Sequence, residues 1–147
     1  MKYLRKYNEK IEDIAEFIKI NLEDNGIFEI EDITLETKPH SRTQELLMNI
    51  NYSDTNDIKI LELRKSVLET TQTYEDGIVD YELYEIYDKN LKKYEDHIRD
   101  ITTTLVNKAL NKYDLCIPKY SYVDLTELSV HNRNHTLYFY QCTIKKQ

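Results

Sequence analysis

The spacing of apolar residues predicts an α+β domain with a mostly antiparallel sheet of about five or six strands and two helices packed on one face, in the order α-β-β-β-β-α-β-β. Three observations carry that expectation. Residues 4–24 and 87–113 repeat apolar side chains every three or four positions, the period of one helix face. Most segments between and after them alternate apolar and polar residues, the period of a half-buried strand. The connections between these segments are short, which joins neighbouring strands antiparallel. A chain of 147 residues fits a single domain, 1–147, and can bury a core without metal or disulfide staples.

The first helix is read from Leu4, Tyr7, Ile11, Ile14, Ile18 and Leu22, with Ala15 inside the stripe and Phe17 and Ile20 widening it. A stripe this broad suits packing on a sheet better than a coiled-coil seam. Glu9, Glu12, Asp13 and Glu16 fall mostly on the other side. Asn25-Gly26 marks the stop, because glycine takes the left-handed conformation that closes many helices. Ile27 to Thr37 then alternates, with Phe28 and Ile30 on one parity and Ile33 and Leu35 on the other. The change near Glu31-Asp32 predicts a bulge or turn. Residues 38–42 form a polar turn around Pro39. Glu45 to Tyr52 is a strand with Leu46, Met48 and Ile50 on one face, and residues 53–57 are a turn by composition.

Ile58 to Thr73 fits both periods; its β-branched Thr70-Thr71-Gln72-Thr73 ending favours a strand. Glu75-Asp76-Gly77 reads as a hairpin turn, and Ile78 to Tyr87 as a strand with Val79, Tyr81, Leu83 and Tyr87 on one face. The second helix carries Leu91, Tyr94, Ile98, Ile101, Leu105 and Ala109 in its stripe. Asp88 or Asn90 is its expected N-cap, and Thr102-Thr103-Thr104 lowers its helix propensity. The chain closes as a hairpin, Ser121–Val130 against His135–Ile144. Its second arm sets Tyr138, Tyr140 and Cys142 on one side and Leu137, Phe139 and Gln141 on the other.

Composition narrows function. The net charge is −7 and the pI about 5.1, which weighs against a protein that tracks a phosphate backbone. With only Gly26 and Gly77, neither a dinucleotide-binding nor a P-loop glycine pattern exists. Cys116 and Cys142 lack CxxC spacing and, with no apolar leader, read as reduced thiols. No apolar run is long enough to span a bilayer. These readings together give a cytoplasmic location and no membrane.

Chemistry-bearing patterns are thin. His131 and His135 flank the last turn, with Cys116 as a conceivable third metal ligand; two exposed turn histidines is the plainer reading. His97 stands beside Asp100 on the second helix, where a partly buried, hydrogen-bonded imidazole is the plainer account. The pairs Glu82/Glu85 and Asp80/Glu82 are what 27 acidic residues produce by chance. Asp54, Asn56 and Asp57 lack the glycine and closing glutamate of a calcium loop. No metal or cofactor is therefore expected, and an enzyme is the lesser reading.

Two features remain. Tyr81, Tyr84, Tyr87 and Tyr94 cluster near the second helix, and Tyr138 and Tyr140 in the last hairpin; tyrosine suits the core rim and protein interfaces. The acidic face Glu9, Glu12, Asp13 and Glu16 suits a basic partner. The sequence thus points to a non-enzymatic protein-binding protein: an inhibitor, immunity or anti-defence factor occupying a basic or hydrophobic site. The alternatives are a self-assembling component such as a viral-particle subunit, a single-strand nucleic-acid binder stacking bases on Tyr138 and Tyr140, and a small enzyme or ligand-binding domain.

Overall fold

A computed structural model gives the fold. It describes residues 2–37, 45–55, 57–70, 81–119, 123–127 and 137–147, without the side chains of residues 2–10, 126 and 127. Helix α1 (Lys2–Asp24) leads into strands β1 (Phe28–Thr37) and β2 (Leu46–Asp54). Helices α2 (Ile58–Glu69) and α3 (Tyr81–Leu110) follow, then a 3-10 turn at Asn111–Tyr113 and strands β3 (Leu115–Cys116), β4 (Asp124–Glu127) and β5 (Leu137–Lys146). The α+β class, the antiparallel sheet and its five strands agree with the sequence.

The sheet runs β1-β2-β5, and β3 and β4 share the far edge of β5, at Lys145–Lys146 and at Tyr138–Gln141. Every pairing is antiparallel. One face carries the core: Leu46, Met48, Ile50 and Tyr52 of β2 alternate inward with Tyr138, Tyr140, Cys142 and Ile144 of β5. Ile14, Ile18 and Leu22 of α1, and Tyr94, Ile98, Thr102, Val106 and Leu110 of α3, close over them. The opposite face of these two strands is mostly polar: Asn49, Asn51 and Gln141 lie there with Leu47 and Phe139, all half-buried, and Gln141 Nε2 donates to Asn49 Oδ1 at 2.8 Å.

Two predicted local features appear as expected. Gly26 ends α1 with φ +68° and donates to the Glu23 carbonyl at 2.9 Å. The register of β1 against β2 shifts between Ile30 and Asp32. The shift lets Phe28 and Ile30 before it, and Ile33 and Leu35 after it, turn to the same helix-covered face.

Three expectations are corrected. Ile58–Glu69 is a helix, not a strand. Asp57 caps it, accepting from the Ile60 amide at 3.1 Å. Its buried stripe is Ile60, Arg64 and Val67; with an arginine in the middle, the helical period looks broken. The expected strand over residues 78–87 is also overturned, since Tyr81–Tyr87 is the start of α3; residues 78–80 and the expected turn at 75–77 lie outside the described residues. Tyr81, Leu83, Tyr84 and Ile86 are exposed on these first turns, so their alternation does not report burial. The helix consequently starts before Asp88 and Asn90, and neither is its N-cap. The order becomes α-β-β-α-α-β-β-β.

Candidate protein-interaction surface

From Ile11 to Thr37, α1 and β1 carry nine carboxylates, Glu12, Asp13, Glu16, Glu23, Asp24, Glu29, Glu31, Asp32 and Glu36, against the single Lys19. That stretch is at −8 while the whole chain is at −7, so the other 120 residues sum to +1. All nine carboxylates are exposed. None forms an ion pair among the described residues; the salt bridges there lie on α2, α3 and β2. A field of one sign on one side of a small domain steers oppositely charged partners.

The helix and strand meet along a groove. Ile11, Glu12 and Ala15 form one wall and residues 33–37 the other, around a volume of about 550 Å³. Helical geometry turns Ile11, Ile14 and Ile18 toward the core, Ala15 and Glu12 toward the flank beside β1, and Asp13 and Glu16 to the outside. Lys19 falls two turns along that flank from Glu12. Glu9, expected on the acidic face, belongs to the part of α1 whose side chains are not described.

The tyrosines divide in two. Tyr138 and Tyr140 are 0 % exposed. Their placement removes them as interface or base-stacking residues: the β5 alternation turns both under α3, where no ring is available to a partner. Tyr81 and Tyr84 are 75 % and 49 % exposed and Tyr87 is half-buried; at i, i+3 and i+6 they run along one flank of the first turns of α3.

The inward tyrosines meet a buried ion pair that sequence reasoning missed. Arg64 of α2 binds Asp54 at the end of β2, with both side chains at or below 3 % exposure. Tyr138 donates to Asp54 Oδ1 at 3.3 Å and accepts from Arg64 at 3.3 Å. Tyr94 bonds Tyr138 and takes a contact from Arg64 Nε at 3.4 Å. Beside them Thr102 donates to the Ile98 carbonyl, which spends its only proton, so Tyr52 donates to Thr102 Oγ at 2.7 Å. Thr103 pairs with the Tyr140 hydroxyl at 2.7 Å. A run of threonines facing tyrosine-bearing strands was the available signal.

Burial holds the Tyr52, Tyr138 and Tyr140 phenols far above their ordinary range. It also pushes the Cys142 thiol up to about 12, against a weaker opposing hydrogen bond from Tyr140. A thiol so raised is not a nucleophile near neutrality. Iodoacetamide at pH 8 is expected to label half-buried Cys116 and leave Cys142 unmodified until the chain unfolds; peptide mass mapping checks this. On α3, His97 is half-buried with Nε2 unpartnered among the described residues, in place of the hydrogen-bonded imidazole expected. No group of three His, Cys, Asp or Glu among the described residues has metal-binding geometry; His131 and His135 lie outside them.

No protein-family model matches the chain, and no curated protein is significantly similar to it. No described helix is long and apolar enough to cross a membrane.

Proposed function

We propose that this chain is a non-enzymatic protein-binding protein, of the inhibitor, immunity or anti-defence kind, whose acidic α1–β1 side occupies a basic site on a partner protein. One observation carries the reading: residues 11–37 sum to −8, with nine exposed carboxylates that form no ion pair among the described residues, on a chain otherwise near neutral. Dispersed acidity serves solubility, whereas one-sided acidity supplies an orienting field for encounter. The burial of Tyr138, Tyr140 and Cys142 supports it indirectly, since these reactive groups are committed to the core. The assembly alternative loses support. The β4–β5 hairpin does lie at one edge of the sheet, with β4 outermost, but the open face of β2 and β5 is mostly polar and offers no continuous apolar surface to a second copy.

The test is affinity capture from the source cells by the wild-type chain and by the triple variant Glu12→Lys, Asp13→Lys, Glu16→Lys. A basic protein held in about 50 mM salt and released by about 500 mM is expected, with association slowed about 10–100-fold in the triple variant. A partner bound equally well by both chains removes the acidic-surface reading.

A further inference from the structure

The outer edge of β1 has no paired strand among the described residues. Among the described residues β1 bonds only to β2, and no backbone or side-chain hydrogen bond reaches the other edge of Glu29–Thr37. A free edge presents a row of unpaired amide and carbonyl groups to any extended chain beside it. Charges and a bulge are the usual protection, and β1 has both. Protection alone does not account for what flanks this edge. After the bulge, Ile33 and Leu35 face the helices, and with Ile11 and Ala15 of α1 they make an apolar wall along it. Asp32, Thr34 and Glu36 take the other parity and stand on the open face of the sheet, opposite Asn51, Asn49 and Leu47.

Resting on the protein-binding reading above, we infer that the partner contributes an extended segment of alternating apolar and basic residues, which adds to the sheet as a strand along β1. The period of two sets the pattern. Side chains of one parity enter the groove against Ile11, Ala15, Ile33 and Leu35, and those of the other parity meet Asp32 and Glu36, while Glu12 closes the helix-side rim. The charge selects the occupant. A second copy pairing β1 with β1 would bring the carboxylates of two such strands together, and like charges on neighbouring strands repel. The groove has no basic residue in its described lining, so a basic segment is the one it complements.

The probe is a capped peptide of four alternating lysine–valine pairs, titrated into the full chain while amide exchange is followed by NMR. Its control is the same peptide N-methylated on alternate residues, which keeps charge and side chains but cannot bond as a strand. The expected result is at least tenfold weaker binding of the methylated peptide, slowed exchange at alternate amides of residues 29–37 with the plain peptide, and at least tenfold weaker binding to the double variant Glu12→Lys, Glu36→Lys. Equal binding of both peptides that still responds to the double variant overturns strand addition while leaving the acidic-surface reading intact. Binding indifferent to the double variant overturns both. Absence of binding overturns the inference, as does a dimer whose β1 amides are already protected without peptide, which would assign the edge to a second copy.

Discussion

Arg64→Met is expected to destabilise the fold by about 3–5 kcal/mol, because it strands the buried carboxylate of Asp54 without its cation. Domains of this size are stable by only about 5–15 kcal/mol, so the variant should be marginal or unfolded at 37 °C. The pair is closed off by α2, α3 and β2, with Tyr94 and Tyr138 filling its remaining hydrogen-bond directions. Burial works against the Arg64 charge, and the hydrogen bonds to Asp54 and the two phenols overcome it. Asp54→Leu alone should cost a similar amount by leaving the guanidinium unpaired. Together the two substitutions should cost less than either one, since neither buried charge remains. Urea denaturation followed by circular dichroism reads all three. A strictly additive double variant would show that Arg64 and Asp54 do not depend on each other.

The second large effect concerns alkali. Burial raises the Tyr52, Tyr138 and Tyr140 phenols above their ordinary value, so the fold holds their protons more tightly than the unfolded chain does. The sign follows: the stability is fully present below the unfolded value near pH 10 and is lost as pH climbs above it. Each such group costs about 1.36 kcal/mol per pH unit there, and three cost about 4 kcal/mol per unit. Cys142 adds to the loss between its ordinary value of 9 and about 12. Cooperative unfolding is therefore expected at about pH 11–12.5, starting from an ordinary domain stability. Tyrosinate absorbance of the buried set should rise only together with loss of helical signal. Tyr140→Phe should remove about a third of the slope. A single smooth titration of all 13 tyrosines with the helical signal intact would contradict the burial.

What could be read beforehand follows from where periodicity reports burial. The bulge in β1, the Gly26 stop, the inward set Leu46, Met48 and Ile50, and the split of β5 into Tyr138/Tyr140/Cys142 and Leu137/Phe139/Gln141 were all legible, because those segments have one covered face. Helix α2 was obscured because its central buried position is Arg64, a residue that a hydropathy pattern scores as exposed. The first turns of α3 were misread because Tyr81, Leu83, Tyr84 and Ile86 are apolar and yet exposed. At the interaction surface, the carboxylates of α1 were visible as a helix face. Those of β1 were not linked to them, because nothing local in the chain says that α1 lies along β1. The Arg64–Asp54 pair was hidden for a related reason: it joins residues ten apart whose meeting depends on the turn at Asp57.

The placement of β5 bears on how the protein is made. It follows every other described element, yet it sits inside the sheet, bonded to β2 along residues 137–144 and supplying Tyr138, Tyr140, Cys142 and Ile144 to the core. A ribosome releases β2 and α3 well before β5 leaves the exit tunnel. Until then Met48, Ile50 and Tyr52 have β1 on one side only, their β5 edge stands open, and Thr102 and Thr103 of α3 have only part of their core. Folding must wait for synthesis of β5, and the nascent chain meanwhile exposes an apolar strand edge of the kind that chaperones bind and that aggregates.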